Sequence, residues 1–417
     1  MTPLKVCLDA RLGGNTGGVD HVVIELARAL SRLDGDEEYH FLTYPDRADW
    51  LLEHLHGPCR LLPAKAVQTK ASLPRRVLAR LPAVRKLLHR LPAAVTRKTI
   101  RVPRSDGTIE AAGIDVMHFV HQWGFLTDIP SIYHPHDLQH VHLPQFFTPR
   151  ERQLRDDFWG AYCRQAQLVP TNSSWVKRDV IAHYGLPEDR VRTVELGPGV
   201  TNDDAPSEQR ISETRARYDL PESFVLYPAR SWEHKNHLTL LRGMFQLNER
   251  HGLNVPLICT GGDTAYTPQL LGALERLPYR PQVRFLGQIP REDLSCLYRL
   301  TSAVCIPSRF EAASFPIWEA FLAGAPVACS TVTSLPDQVG DAGLLFDPDS
   351  PIELADCLNR ILTDPVLAEQ LTTRGKARVS AITWDRAARI FRAFYRHLGK
   401  RSLDESDRRL MSLPPIM

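Results

Sequence analysis

The sequence predicts an α/β protein made of two Rossmann-like domains. Three observations carry that expectation. Short apolar runs alternate with segments of helical period along most of the chain, the pattern of parallel strands joined by helices. A length of 417 residues exceeds what one compact core holds. A polar stretch opened by Gly197, Pro198 and Gly199 divides the alternation in two.

The elements follow in order. Residues 4–9 read as a strand and 19–33 as a helix. Strands at 39–44, 115–120 and 168–171 come next, then a helix at 174–183 opened by a serine cap. In the second half strands are expected at 224–227, 256–260, 283–286, 303–307, 326–330 and 343–346. Helices fall between them at 237–250, 292–300 and 317–323. The resulting division is an N-terminal domain over 1–200, a linker over 201–221 and a second domain over 222–383, with a cleft between the two domains. Residues 384–398 have helical period, and 399–417 read as a mobile tail. No short repeat is present, which excludes a solenoid.

Composition narrows the class. A net charge of +3 with no nucleic-acid motif argues against nucleic acid as a partner. The first fifteen residues are interrupted by Asp9 and Arg11 and lack a signal-peptide core, and no apolar run reaches the ~20 residues that span a bilayer. A cytoplasmic protein is expected, with contact to the inner face of the membrane left open. The eight cysteines have neither C-x-x-C nor zinc-ligand spacing, and Cys7, Cys259 and Cys305 lie in apolar runs, so they read as reduced core residues.

One segment stands apart. Residues 60–104 hold thirteen Lys and Arg and no Asp or Glu, interleaved with apolar residues and broken by Pro74, Pro82 and Pro92. It is either a solvated basic excursion or a surface for anionic lipid or an anionic acceptor.

The strongest chemical signal is Glu311, eight residues before Glu319, followed by Gly324-Ala-Pro326-Val. Glu311 is expected in the loop after a strand, and Glu319 about one turn into the next helix. Pro316 suits a first helical turn, so the amides of Ala313, Ser314 and Phe315 are expected to face a phosphate or sugar hydroxyls over the strand end. A loop Glu can accept bonds from sugar hydroxyls, while a helical Glu can grip a ribose. The alternative is a helix-entry charge at Glu311 and a surface charge at Glu319, which its apolar neighbours Trp318, Ala320 and Phe321 make costly.

Arg230 and Lys235 form the second signal, two cations five residues apart between a strand end and a helix. They suit a diphosphate, the Arg as a fork and the Lys as a point charge, although alone they read equally as solvated loop residues. Third, Gly13, Gly14, Gly17 and Gly18 lie between the first strand and the first helix, where glycine permits close approach to phosphate. They do not form G-x-G-x-x-G, which disfavours a dinucleotide site, and a plain turn explains them as well. Fourth, His134, His136, Asp137, His140 and His142 crowd one stretch. A metal site is the weaker reading; His136 reaching a sugar hydroxyl is the better one.

Together Glu311 and Glu319 in E-x7-E spacing, the A-G-x-P-V run, the Arg230/Lys235 pair, the Gly-Gly loop and the His136-Asp137 pair resemble glycosyltransferase family 4, from about Leu4 to Leu398. The resemblance implies a GT-B fold, in which 384–398 crosses back to the N-terminal domain. It implies a retaining, metal-independent transfer from a nucleotide diphosphate sugar (UDP- or GDP-linked) to a glycan or lipid-linked acceptor in cell-surface polysaccharide or glycoconjugate synthesis.

By the same resemblance Glu311 and His136 contact the donor sugar, and Arg230 and Lys235 hold the diphosphate. Gly17 and Gly18 approach the distal phosphate, Glu319 the ribose, and Gln288 and Ile289 the base, with Ser314 and Phe315 also at the donor. Ala312-Ala313-Ser314 replaces the Gly-Phe-Gly common in the family, which implies a donor pocket of different shape. A GT-B epimerase or phosphorylase and a non-catalytic sugar-nucleotide scaffold are the competing readings.

Overall fold

A computed structural model of the chain describes residues 2–14, 18–65, 101–199, 205–276 and 282–416. The chain divides into two compact units, Met1–Val194 with Ala387–Ile416, and Glu195–Arg386.

The first unit holds β1 (Leu4–Asp9), β2 (Glu37–Thr43), β3 (Cys59–Pro63), β4 (Val116–Phe119) and β5 (Ser131–Tyr133) in the order β3-β2-β1-β4-β5. Every pairing is parallel. A parallel pair of β6 (Val169–Thr171) and β7 (Val191–Thr193) continues the sheet through a bridge between Ile132 and Leu168. β1 is buried on both faces except at Lys5, as expected for a strand covered by helices on either side. The helix Gly18–Ser31 lays Val22, Val23, Leu26 and Leu30 into the core at helical spacing.

The helix Trp384–Leu398 starts in the second unit and belongs to the first from Ala387 onwards. There it buries Ile390, Phe391, Phe394 and Tyr395. The Phe391 ring lies 4.9 Å from His118, and Tyr395 shares a 2.6 Å hydrogen bond with His118 Nδ1.

The second unit is a six-stranded parallel sheet: β8 (Val225–Pro228), β9 (Leu257–Thr260), β10 (Val283–Phe285), β11 (Ala303–Ile306), β12 (Val327–Ser330) and β13 (Gly343–Phe346). Their order is β10-β9-β8-β11-β12-β13. The strand order therefore reverses between β8 and β11 here, and between β1 and β4 in the first unit. Open α/β sheets bind ligands at the carboxyl ends of the strands beside such reversals.

Expected strands and helices agree with these to within a residue or two, but three strands escape the sequence reading. β3, Cys-Arg-Leu-Leu-Pro, opens the basic stretch and reads as part of it; β5 and β7 are only three residues long. Two further expectations are corrected. Within the supposed linker, Ser207 caps a helix Glu208–Arg217 that packs on the helix Arg291–Leu300. Its Arg210 and Arg217 bind the fully buried Asp293 at 2.6 and 2.9 Å, with Tyr218 at 2.8 Å, and this buried anchor makes the segment part of the unit.

The supposed mobile tail contains the helix Glu405–Ser412, opened by an Asp404–Asp407 capping box. Asp407 is fully buried and bonds Arg396 at 2.9 Å, a long-range charge pairing that local composition does not reveal. All eight cysteines are buried and free. Of the basic segment, residues 66–100 lie outside the described residues, as does Gly17. No helix among the described residues is long and apolar enough to cross a membrane.

Candidate active site

In the second unit the loops after β8, β11 and β12 meet at Glu311. Lys235 Nζ donates to Glu311 Oε1 at 2.6 Å, and Ser308 Oγ donates to the same oxygen at 2.6 Å. Oε2 has no hydrogen-bond partner among the described residues. The main chain is held as firmly: the Glu311 N–H donates to Thr333 Oγ1 at 3.0 Å, and its carbonyl accepts from Ser334 Oγ at 2.9 Å. Thr333 has φ 49, unusual for a β-branched residue and the kind of strain that clusters at functional loops.

Lys235 is fixed from both sides. Tyr227 OH donates to its carbonyl at 2.7 Å. Asn236, left-handed at φ 59, is buried and donates through Nδ2 to the carbonyls of Pro307 at 2.9 Å and Pro348 at 2.8 Å. Asn tolerates that conformation, so the chain can turn sharply between Lys235 and the helix His237–His251.

Arg230 is exposed, its guanidinium 5.6 Å from the Trp232 ring. Beside it Gly261, at φ 117, passes so close that a Cβ would stand 2.6 Å from the Ala229 carbonyl carbon. Only glycine lets the loop after β9 approach there. A Cβ on Gly262 would lie 3.7 Å from both Arg230 Nε and Gln288 Oε1, so these two expected donor residues do come together. Ile289 follows half-buried, and Gly287 at φ 66 accepts from the Gly261 N–H at 2.8 Å.

Glu319 lies on the helix Phe315–Ala323 and accepts from Tyr298 OH at 2.6 Å. Burial pushes its pKa up, against the opposing pull of Tyr298, Arg291 and the Gly199 backbone. At Ser314 the structure corrects the expectation of a free amide. Its N–H donates to Gln338 Oε1 and its carbonyl accepts from Gln338 Nε2, both at 2.8 Å. The buried Gln338 amide satisfies its own polar groups this way, and the Ser314 hydroxyl is left buried without a partner among the described residues. Phe315 packs 6.5 Å from Trp384.

His136 belongs to the first unit, three residues past β5 and left-handed at φ 59. Its Nε2 faces the Val120 carbonyl at 2.9 Å, so that nitrogen carries the proton and Nδ1 faces Asn172 Nδ2 at 3.5 Å. Burial lowers its pKa to about 4, and the ring is neutral at ordinary pH. Gly18 opens the helix after β1. Among the described residues no group of three or more His, Cys, Asp or Glu side chains is placed to hold a metal ion. Sequence reasoning missed Ser308, Asn236, Thr333, Tyr298 and Gln338. All but Ser308, which bonds Glu311 three residues on, act by hydrogen-bonding a residue far off in the chain, and a lone Ser, Thr or Gln leaves no spacing signal.

Family models for "Glycosyltransferase Family 4" and "Glycosyl transferases group 1" match residues 16–197 and 211–378. The O-antigen chain mannosyltransferase B of Escherichia coli is 30% identical over 268 residues, covering 61% of this chain and 70% of that protein. A D-inositol 3-phosphate glycosyltransferase of Salinispora tropica is 25% identical across 90% of this chain and 80% of its own. The match to the Corynebacterium diphtheriae protein of that name, 26% identical over 59% of this chain, spans 57% of its length. Among solved structures, Anabaena HepE in complex with UDP and glucose superposes with a TM-score of 0.69 at 20% identity, covering 94% of this chain and 99% of that one. Sucrose-phosphate synthase from Thermosynechococcus elongatus gives 0.72 at 22%, covering 96% and 100%.

Two parallel Rossmann-like sheets with this likeness define a GT-B glycosyltransferase. The chain belongs to glycosyltransferase family 4.

Proposed function

We propose that the chain transfers a sugar, with retention of anomeric configuration, from a UDP- or GDP-sugar to a glycan or lipid-linked acceptor of a cell-surface polysaccharide. The observation that carries this reading is the state of Glu311: one carboxylate oxygen is saturated by Lys235 and Ser308, and the other is open to a sugar hydroxyl. Supporting it, the Escherichia coli relative is named as an O-antigen chain mannosyltransferase, and the HepE structure holds UDP and glucose.

In this reading Lys235 and Arg230 neutralise the diphosphate as it departs. Gly17 and Gly18 approach its distal end. Glu319 takes the ribose, Gln288 and Ile289 the base, and Ser314 and Phe315 line the donor. His136, neutral and with its Nε2 proton given to Val120, accepts a hydrogen bond from a donor-sugar hydroxyl at Nδ1 in place of the 3.5 Å contact with Asn172. The sugar C1–O bond to diphosphate breaks as the acceptor oxygen bonds C1 on the same face, and the acceptor proton passes to the leaving diphosphate. Two cations fill the role a divalent ion would have, so EDTA is expected to leave the rate unchanged. The basic segment 60–104 supports association with the inner face of an anionic membrane from the cytoplasm.

Thermal stabilisation by UDP, GDP, ADP and dTDP tests the donor site. Preferential stabilisation by one diphosphate, lost in Lys235→Ala/Glu319→Ala, is expected. No stabilisation by any of them would overturn the reading, and an inverted anomer in the product NMR spectrum would overturn retention.

A further inference from the structure

The first unit contains a cavity of about 460 Å³ that none of the donor residues explains. Its walls include Arg11, Tyr44, Ala64 and His121, one or two residues past the ends of β1, β2, β3 and β4, so it opens at the carboxyl ends of the strands. It sits beside the β1/β4 reversal, where an open parallel sheet offers a ligand site. The volume suits a small ligand.

The lining has three chemical parts. The first is an aromatic face. Trp123 is 50% exposed, yet its ring is braced edge-on by Phe158 at 6.1 Å, and its backbone N–H donates to His121 Nδ1 at 3.2 Å. A fixed, half-exposed indole over a polar cavity matches the C–H face of a pyranose, apolar on its body and wet at its edge.

The second part is a neutralised donor. Arg11 gives Nε and Nη2 to the fully buried Asp9 at 2.8 and 2.6 Å and lies 4.8 Å over Phe125. Burial alone would raise the Asp9 pKa; Arg11 and His121 more than reverse it, so the carboxyl stays ionised and the Arg11 charge is cancelled. Arg11 Nη1 is left to offer bonds to neutral hydroxyls.

The third part is an uncancelled cation. Arg104 is exposed in the same wall, with no carboxylate within 4.0 Å among the described residues. Its backbone is fixed by the bridge to Leu126 and the flanking bond from Ser105 N to Leu126 O at 2.8 Å. Asp106 lines the same cavity, and its carboxylate accepts from the Thr108 N–H at 2.9 Å rather than from Arg104. An exposed guanidinium on a fixed backbone, with no ion-pair partner among the described residues, favours a planar or tetrahedral oxyanion over a hydroxyl.

We infer that this cavity binds a pyranose bearing an anionic group, the ring stacked on Trp123 and the anion held by Arg104. Resting on the proposed function, this makes the acceptor an acidic glycan, phosphorylated or uronic.

Saturation-transfer NMR titrations with mannose 6-phosphate, glucuronate and methyl α-mannoside, with inorganic phosphate added as a competitor whose affinity is read from the sugar phosphate it displaces, test it. One of the two charged sugars is expected to bind roughly tenfold tighter than methyl α-mannoside, a difference typical of one charge-assisted pair, and its identity tells phosphate from carboxylate. Arg104→Ala should erase that preference, and Trp123→Ala should weaken every sugar, with circular dichroism confirming that both variants fold. Equal affinity for charged and neutral sugars, a preference that survives Arg104→Ala, inorganic phosphate binding as tightly as the sugar phosphate, or no binding at all would overturn the inference. UDP and GDP stabilisation of the same samples separates the failures: retained with no sugar binding, it sinks the acidic-acceptor site alone; lost as well, it sinks the transferase reading.

Discussion

Lys235 Nζ stands 2.6 Å from Glu311 Oε1, tying the loop after β8 to the loop after β11. The pair is only partly shielded, with 24% of the lysine side chain exposed, so it stabilises the fold by about 1 kcal/mol or less. In the proposed function its larger effect is to hold a point charge where the diphosphate leaves. Lys235→Met is therefore expected to lower kcat by roughly 10² to 10³ while shifting Tm only a few degrees. Lys235→Arg should not restore the rate, because a planar fork cannot occupy the place of an ammonium held by Glu311. Single-turnover assays beside thermal scans measure both, and a kcat within threefold of wild type would remove Lys235 from the chemistry.

Glu319 makes the opposite kind of prediction. Burial raises its pKa, so its ionised form is held at a cost to the folded state. With the folded pKa above the unfolded one, that cost is absent below the usual carboxylate range and appears as pH rises through the folded value. Glu319→Gln should raise Tm at pH 8 by roughly 2 to 4 °C, about 1 kcal/mol, and leave it unchanged near pH 4. The same change should raise the donor KM with little effect on kcat, as expected of a group that grips ribose in ground and transition states alike. A Tm gain of equal size at both pH values would mean that the carboxylate charge is not its source.

Much of this was legible in the sequence. Parallel strands covered by helices carry long apolar runs, which is why β1, β11 and β12 stand out. Glu311, Arg230 and Lys235 could be found because they lie in loops past such runs, and Glu319 by its E-x7-E spacing from Glu311 and its apolar helical neighbours. What could not be read were the partners supplied from afar: Thr333 on Glu311, Gln338 clamping Ser314, Tyr298 on Glu319. Short strands such as β5 fell below the length at which periodicity speaks. The helix Glu208–Arg217 was mistaken for linker because it is polar almost all round; its packing on the helix Arg291–Leu300 and the grip of Arg210, Arg217 and Tyr218 on Asp293 hold it in place.

The histidines of the first unit predict acid sensitivity. His118, His134 and His136 form a row with ring separations of 5.0 and 5.5 Å. Burial, with mutual repulsion, lowers their pKa values to about 3 for His118, well below normal for His134 and to about 4 for His136. Folded values below the unfolded one mean that their stability is fully present above about pH 6.5 and is lost as pH falls towards 4. Urea midpoints should drop steeply across that interval. His134→Leu removes two buried ring nitrogens that lack partners among the described residues, and it should flatten the drop without destabilising the protein at pH 7. An unchanged slope in the variant would place the acid sensitivity elsewhere.

Arg396 gives the final prediction. Its Nε bonds Glu37 Oε1 at 2.5 Å and its Nη1 bonds Asp407 Oδ2 at 2.9 Å, so one guanidinium joins β2 to the C-terminal helix Glu405–Ser412. Both acids are buried, and removing the cation would leave two carboxylates facing each other in the interior. Breaking such a pairing from one side typically costs about 3 kcal/mol or more, so Arg396→Met should lower Tm by roughly 6 to 12 °C. It should also free the tail. In the native protein Arg408 and Arg409 lie within the capped helix and should resist trypsin, because cleavage needs the helix to open. In Arg396→Met they should be cut in minutes, with the loss of the C-terminal peptide followed by mass spectrometry. Equal cutting rates in the two proteins would show that the Asp404 cap alone, without Arg396, keeps the helix in place.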